Sequence, residues 1–302
     1  MDWRLQIIRK AVLCRIPFAD GFRRLKRRIF GYEPDSGNLI NTVENLKQMQ
    51  AELDSLGRSF RGSTVLEIGS GWFPAIPLML AAEHVKHVYL SDLTPHMDEA
   101  TFNATLGFLR QHLPDAIHLK TINSIADIPA SYLTPFDPDQ LADQSIDYII
   151  SRTVLEHISP EQITDFFVAL RPKLAANGLM VHLIDHSDHL EFDDKSISRI
   201  NFLSWGKRKY AWINFLMKDG ENRLRHHEYP PLFKAAGFSV LREKAIIHDA
   251  TNEIAKTLKL SPPYSGMTSE QLSVLTSIYI LTPENHHGAT NCADPAIPPA
   301  SR

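Results

Sequence analysis

The chain has 302 residues, of which 43% are hydrophobic and 22% charged, with a formal net charge of -3. That is the profile of a globular chain rather than a disordered or collagenous one, and it argues against a nucleic-acid-binding domain, which is as a rule strongly basic. The only cysteines, Cys14 and Cys292, form neither a disulfide framework nor a zinc ladder; a reducing cytoplasm is the expected setting, with no run long enough to span a bilayer and no signal-peptide pattern.

Residues 1–58 read as an N-terminal helical cap. Arg4, Arg9, Lys10, Arg15, Arg23, Arg24, Lys26, Arg27 and Arg28 interleave with Leu5, Ile8 and Val12, then Phe22, Leu25 and Ile29, at helical spacing. Pro17 should divide two short amphipathic helices. Their basic faces suit either an anionic membrane surface or the solvated side of a cap over a cleft, and the cap is the preferred reading. A further helix covers 38–56, striped by Leu39, Val43, Leu46 and Met49.

From Ser63 strands and helices alternate: strands 64–68, 87–91, 117–122, 145–151 and 179–184, with helices 74–82, 97–112 and 160–174. A Pro-rich loop is expected over 123–144 and a helix-ending turn at Asn177-Gly178. The rhythm resumes with helix 229–236, strand 238–247 and strand 274–281, after insertions at 186–225 and 248–272. This implies an α/β fold, a Rossmann-like seven-stranded, mostly parallel sheet with helices on both faces, in one domain over 59–282. The Pro- and Asn-rich tail 283–302 is expected to be disordered.

The strongest signal is Val65-Leu66-Glu67-Ile68-Gly69-Ser70-Gly71, a buried strand running into a Gly-rich turn that opens a helix. Such a turn lies outside the carboxyl end of a parallel strand, where open α/β sheets bind ligands. A dinucleotide fingerprint needs a third small residue so that a diphosphate can rest on the helix, yet Trp72, Phe73 and Pro74 stand there. The acid two residues before Gly69 suits a cationic ligand. S-adenosylmethionine carries an ammonium and a sulfonium and no phosphate. About 20 residues on, a second strand ends at Asp92, followed by Leu93, placed to accept hydrogen bonds from ribose hydroxyls.

Taken together, Glu67–Gly71, Ser91-Asp92, Ser145–Arg152 and Leu170–Leu174 followed by Gly178 resemble the successive motifs of class I, type-11-like S-adenosylmethionine-dependent methyltransferases, over roughly 60–282. The resemblance implies that Glu67, Gly69, Ser70 and Gly71 surround the methionine part of the cofactor. It also implies that Asp92 and Leu93 take the ribose side and that Ser151, Arg152 and Thr153 line the transfer pocket. The sequence departs from the usual pattern at Phe73, where a third glycine is the rule, and Asp137 and Asp139 offer only an undiagnostic adenine-side acid.

A hydroxyl acceptor needs a base, and histidine suits that role. His157 follows the fourth strand, while Asp185-His186-Ser187-Asp188-His189 follows the fifth, so His157, His186, His189 and Asp185 are the catalytic candidates. The 185–189 spacing fits no standard zinc pattern, and no metal is expected. Asp188, Asn222, Arg223 and Arg225 are candidates for substrate contact, since carboxylates bind sugar hydroxyls and guanidinium forks bind anions. The DHSDH segment, Asn201-Phe-Leu and Asn222-Arg-Leu-Arg are similar to methyltransferases of bacterial surface-polysaccharide and lipid-linked glycan pathways. The expected activity is therefore O-methylation of a sugar-like or other small hydroxylated acceptor. N- or C-methylation of a small metabolite and a catalytically silent binding module are the alternatives, and an NAD-dependent oxidoreductase is disfavoured by Phe73 and Pro74.

Overall fold

A computed structural model describes residues 1–16, 36–113, 117–218 and 220–284. Its strands are β1 (Thr64–Ile68), β2 (His87–Ser91), β3 (Ala130–Leu133), β4 (Ile146–Arg152), β5 (Leu174–Asp185), β6 (Phe238–Ile247) and β7 (Val274–Pro283). They form one sheet in the order β3-β2-β1-β4-β5-β7-β6, with β7 antiparallel to both its neighbours and the other pairs parallel. This is the Rossmann-like α/β architecture expected. The strand order reverses between β1 and β4, so a crevice opens at their carboxyl ends.

The helices among the described residues are α1 (Trp3–Leu13), α2 (Ser36–Asp54), α3 (Ala75–Ala82), α4 (Glu99–His112), α5 (Pro160–Leu170), α6 (Lys207–Met217), α7 (Tyr229–Ala235), α8 (Asp249–Ala255) and α9 (Ser269–Ser273). Alternate residues of each strand face opposite sides of the sheet, and each side has its own core. Val65, Val88 and Ile150 pack with Leu46 and Met49 of α2, Leu80 of α3 and Leu109 of α4. Leu66, Ile149 and Met180 pack with Phe167 of α5 and Phe233 of α7. A third cluster joins α1 to the two insertions through Ile7, Trp205, Tyr210, Ile213 and Leu272.

Four local readings need correction. The third strand is not 117–122. Ile117–Lys120 forms a 3-10 turn whose Leu119 carbonyl accepts from Arg110 Nε at 3.0 Å. The real β3 lies inside the stretch read as a Pro-rich loop. It pairs only with β2, at the sheet edge, and is half-buried throughout, so it needs no continuous apolar run. The fourth-strand helix stops at Leu170, and a 3-10 turn holding Pro172 follows it. Asn177-Gly178 does not end that helix. It lies within β5, where the register with β4 slips.

The stripe read on α1 is on the wrong side. Leu5, Ile8 and Val12 are exposed, at 57%, 59% and 56%, while Gln6 and Ile7 are buried. At 100° per residue, Ile7 stands roughly 200° around the helix from Leu5. That face is the one fixed to the rest: Trp3 stacks on Trp205 at 5.1 Å, and Gln6 Nε2 donates to the Leu190 carbonyl at 3.1 Å. The second helix of the pair, with Phe22, Leu25 and Ile29, and the tail beyond Glu284 lie outside the described residues. No helix of the described residues is long and apolar enough to cross a membrane.

Candidate active site

At the β1 end of the crevice, Glu67 is 4% exposed, and its Oε2 has no hydrogen-bond partner. The chain then turns through Gly69 and Gly71 with φ of +70° and +65°, a region where L side chains are strained. A Cβ on Gly69 would also come within 2.6 Å of Val154 Cγ2, so the turn is pressed against the loop after β4. β2 locks the turn: the Gly69 N–H donates to the Ser91 carbonyl at 2.9 Å, Ser91 Oγ donates to the Glu67 carbonyl at 2.7 Å, and the Gly71 N–H donates to Asp92 Oδ2 at 2.7 Å. Asp92 thus faces the same turn as Glu67, with His96 3.9 Å away and Trp72 packed on the His96 ring at 4.7 Å. Phe73, in place of a third glycine, packs against the core on the α2–α4 side of the sheet. Leu93 is 81% exposed at the rim.

Burial pushes the Glu67 carboxyl up to about 8. A hydrogen bond from Ser70 works against that, the Asp92 charge adds to it, and Arg152 opposes it. Asp92 is raised as well, first by burial, with the Gly71 N–H opposing. Arg152, at the end of β4, is lowered by burial, and its Nε has no hydrogen-bond partner; Glu156, Asp185 and Glu67 are the acids whose charges it feels. One guanidinium therefore stands between the β1 acid and the acids beyond β4 and β5.

Those acids form the second half of the site. Thr153 takes φ of +52°, uncommon for a β-branched residue, and its N–H donates to the Leu183 carbonyl at 2.9 Å. This kink leads into the short turn Leu155–His157. Glu156 is buried there with both carboxylate oxygens unpartnered, and burial, then the Asp185 charge, raises it well above the ordinary carboxylate range. His189 is held on two sides: its Nδ1 lies 3.0 Å from Glu221 Oε1, and its Nε2 lies 3.6 Å from Asp185 Oδ2. Burial lowers His189, but the neighbouring carboxylates of Asp185 and Glu221 outweigh it and leave the imidazole at about 11. Asp185 is the reciprocal case: burial raises it, and His189 and Ser187 bring it down to about 2. The His157 ring packs on His189 at 5.1 Å. Donor atoms of Glu156, His157 and His189 all lie within 4.8 Å of one another.

Beside this cluster is a cavity of about 600 Å³, lined among others by Asn38, Asn41, Asn45, Asp185, His189 and Arg199. The three asparagines stand at helical spacing on α2, so one face of the cap helix presents a row of amides to the cavity.

The other sequence candidates are spent on the protein itself. His186 is buried between the Leu224 carbonyl at 3.1 Å and Ser277 Oγ at 2.7 Å, and burial lowers it to about 3. Asp188 accepts the N–H groups of Leu190 and Phe202 at 3.0 and 2.8 Å. Arg225 is fully buried and donates to the carbonyls of His186, Leu272 and Val274 at 2.7, 3.0 and 2.8 Å. Arg223 donates to the carbonyls of Phe202 and Trp205 at 2.9 and 2.8 Å and covers the Tyr210 ring at 3.7 Å. Asn222 Nδ2 clamps the carbonyls of Leu155 and Ile158 at 2.8 and 2.9 Å, bringing the neighbouring Glu221 over to the Glu156 turn. Ser151 is tied to His182 Nδ1 at 2.8 Å inside the sheet. Asp137 caps a 3-10 turn through the Asp139 N–H at 3.0 Å. These are not pocket groups but the scaffold of the pocket. Glu156 and Glu221 are the acids that sequence reasoning missed.

The sequence matches no protein-family model and no curated protein. Among solved structures, the chain is similar to magnesium protoporphyrin IX methyltransferase from Synechocystis PCC 6803 with bound SAH, at 17% identity over 90% of this chain and 98% of that one, TM-score 0.46. It is also similar to phosphoethanolamine N-methyltransferase 2 from Haemonchus contortus in complex with S-adenosyl-L-methionine, at 16% identity over 79% of this chain and 53% of that one, TM-score 0.45. A third is a SAM-dependent methyltransferase from Leishmania major, at 13% identity over 78% of this chain and 71% of that one, TM-score 0.43.

Proposed function

We propose that the chain is an S-adenosylmethionine-dependent methyltransferase acting on a hydroxyl of a sugar-like or other small hydroxylated acceptor. The observation that carries the first half is Glu67. A buried carboxylate oxygen with no partner stands at the tip of β1, inside a two-glycine turn and beside Asp92. A diphosphate brings no donor to these carboxylates; an ammonium supplies the missing partner. The residues fit the cofactor. Glu67 would take its ammonium, the free Nε of Arg152 its carboxylate, and Asp92 its ribose, with Leu93 at the rim. When bound, the cofactor supplies a methyl group on a sulfonium.

The protein's part is to hold an acceptor in line with that methyl group and to keep water out. Support for a hydroxylated acceptor comes from the cavity next door. Planar amides from α2, the Asp185 carboxylate and Arg199 offer the mixed donors and acceptors that vicinal hydroxyls use. His189, pinned by two carboxylates, is a better proton holder than proton acceptor, and His157 is the exposed imidazole at the same rim.

The test is calorimetry with S-adenosylhomocysteine and NAD in parallel, followed by labelled-methyl transfer into cell extract sorted into glycan, lipid, protein and small-molecule pools. Saturable binding of the first ligand alone, with label in the glycan or small-molecule pool, is the expected result. NAD binding in its place ends the proposal, and label in protein ends its acceptor half.

A further inference from the structure

We infer that Glu156, His157 and His189 form a binding site for a divalent first-row transition-metal ion, with Asp185 as a further oxygen donor. The argument rests on which atoms are already engaged. His189 Nδ1 is taken by Glu221 Oε1 at 3.0 Å, which turns the ring so that Nε2 faces inward. That Nε2 is buried without a hydrogen-bond partner, as are both oxygens of Glu156. Three buried ligand atoms that make no hydrogen bond, from two separate elements, thus converge, with the His157 ring against them and donor atoms of all three residues within 4.8 Å. Asp185 Oδ2 is 3.6 Å from the same Nε2.

Buried polar atoms are nearly always paired, and a group of orphans aimed at one point calls for an occupant. A carboxylate behind a histidine's outer nitrogen is the arrangement by which proteins fix the tautomer of a metal-binding imidazole, and Glu221 stands in that place. Three carboxylates, Glu156, Asp185 and Glu221, surround this point, so a dication also matches the charge. Two imidazoles with carboxylate oxygens favour zinc, cobalt or manganese over magnesium or calcium. Ligand distances of about 2.0–2.2 Å need donors somewhat closer together than here, a contraction that side-chain rotation supplies.

This deepens the proposed methyl transfer and depends on it only for its use. In that reading, the cation would hold the acceptor hydroxyl at the mouth of the cavity and acidify it. The oxygen would then bond the methyl carbon while the carbon–sulfur pair stays on sulfur, and the hydroxyl proton leaves to water. His189, held by Glu221 through Nδ1 and by the ion through Nε2, would not need to act as a base.

The experiment uses the untagged chain, stripped with a chelator and dialysed against cobalt or zinc chloride, with magnesium chloride alongside. Wild type should take up one cobalt or zinc per chain and show visible cobalt absorption. Glu156→Gln and His189→Asn should each weaken uptake by at least tenfold, and Glu221→Gln by about tenfold to a hundredfold, while S-adenosylhomocysteine binding stays intact. If either buried variant does not fold, His157→Asn, at an exposed position, carries the comparison. No uptake by wild type at millimolar cobalt and zinc, or equal uptake by the variants, overturns the site. Uptake of the ion without any S-adenosylhomocysteine binding keeps the site and sinks the methyltransferase reading; the converse does the opposite.

Discussion

The two halves of the crevice are built differently. On the β1–β2 side, Glu67, Gly69, Gly71 and Asp92 lie within 26 residues of one another and are joined by backbone bonds of neighbouring strands. On the β4–β5 side, Glu156, His157, Asp185, His189 and Glu221 come from three stretches of chain, two brought together by the pairing of β4 with β5 and the third by Asn222 and the turn it clamps. The first half is a local motif, so its chemistry shows in the spelling. The second is a product of packing, where residues with promising side chains can be structural and plainer ones can be functional.

Arg225 tests that contrast most severely. It resembles an anion-binding fork, yet its donors hold three carbonyls in the interior. Arg225→Leu should cost about 3 kcal/mol of stability, because buried carbonyls are left unmatched. Chemical denaturation reads the loss, and the S-adenosylhomocysteine affinity of the folded fraction should be unchanged. A stable variant that loses acceptor turnover instead would return Arg225 to the substrate side. On the motif side the order reverses: Asp92→Ala should weaken S-adenosylhomocysteine by about a hundredfold, from two lost charge-assisted hydrogen bonds, with a smaller loss of stability than Arg225→Leu, from the lost Gly71 bond.

Most of the fold was legible because alternation of strand and helix is a periodic signal. The third strand escaped since an edge strand with one neighbour carries no apolar run, whereas Ile117–Ile122 looked like a strand although Ile117–Lys120 forms a 3-10 turn. The α1 stripe misled because Leu5, Ile8 and Val12 share a helical period with the opposite, docked face. After β5, Asp185 and His189 stand out in the sequence, and both line the cavity. His186 and Asp188 were equally visible and are core groups, a distinction that depends on partners such as Ser277 and Phe202, far away in sequence. The signal for Glu156 was present as its pairing with His157, but nothing in the spelling says that its carboxylate is buried without a partner.

Gly69 probes where the two halves touch. Its φ of +70° and the 2.6 Å approach to Val154 leave no room for a methyl group without moving the loop that leads to Glu156. Gly69→Ala should lower S-adenosylhomocysteine affinity about tenfold, the effect of roughly 1–2 kcal/mol of backbone strain. If Val154→Ala in the same chain restores affinity, the contact and not the backbone angle is the cause.

The mildest effect is the one that reads Glu67 directly. Burial, aided by Asp92 and opposed by Ser70 and Arg152, holds its carboxyl at about 8, so below that pH the free protein keeps a proton there. An ammonium needs the carboxylate, and binding at pH 6.5 must therefore expel the proton. S-adenosylhomocysteine affinity should rise from pH 5.5 to 7.5 by up to tenfold per unit, and the binding enthalpy should vary with the buffer's ionisation enthalpy as release of about one proton requires. Folding carries the opposite sign. Because the folded pKa lies above the unfolded 4.5, the free protein loses stability from this group as pH climbs between the two values and loses no more above about 8. Bound ligand should flatten that slope, since the ammonium takes over from the proton. In Glu67→Gln both the affinity slope and the buffer dependence should vanish. If they persist, the proton leaves from Asp92 or from the ligand, and the acid at the tip of β1 is not the one that meets the ammonium.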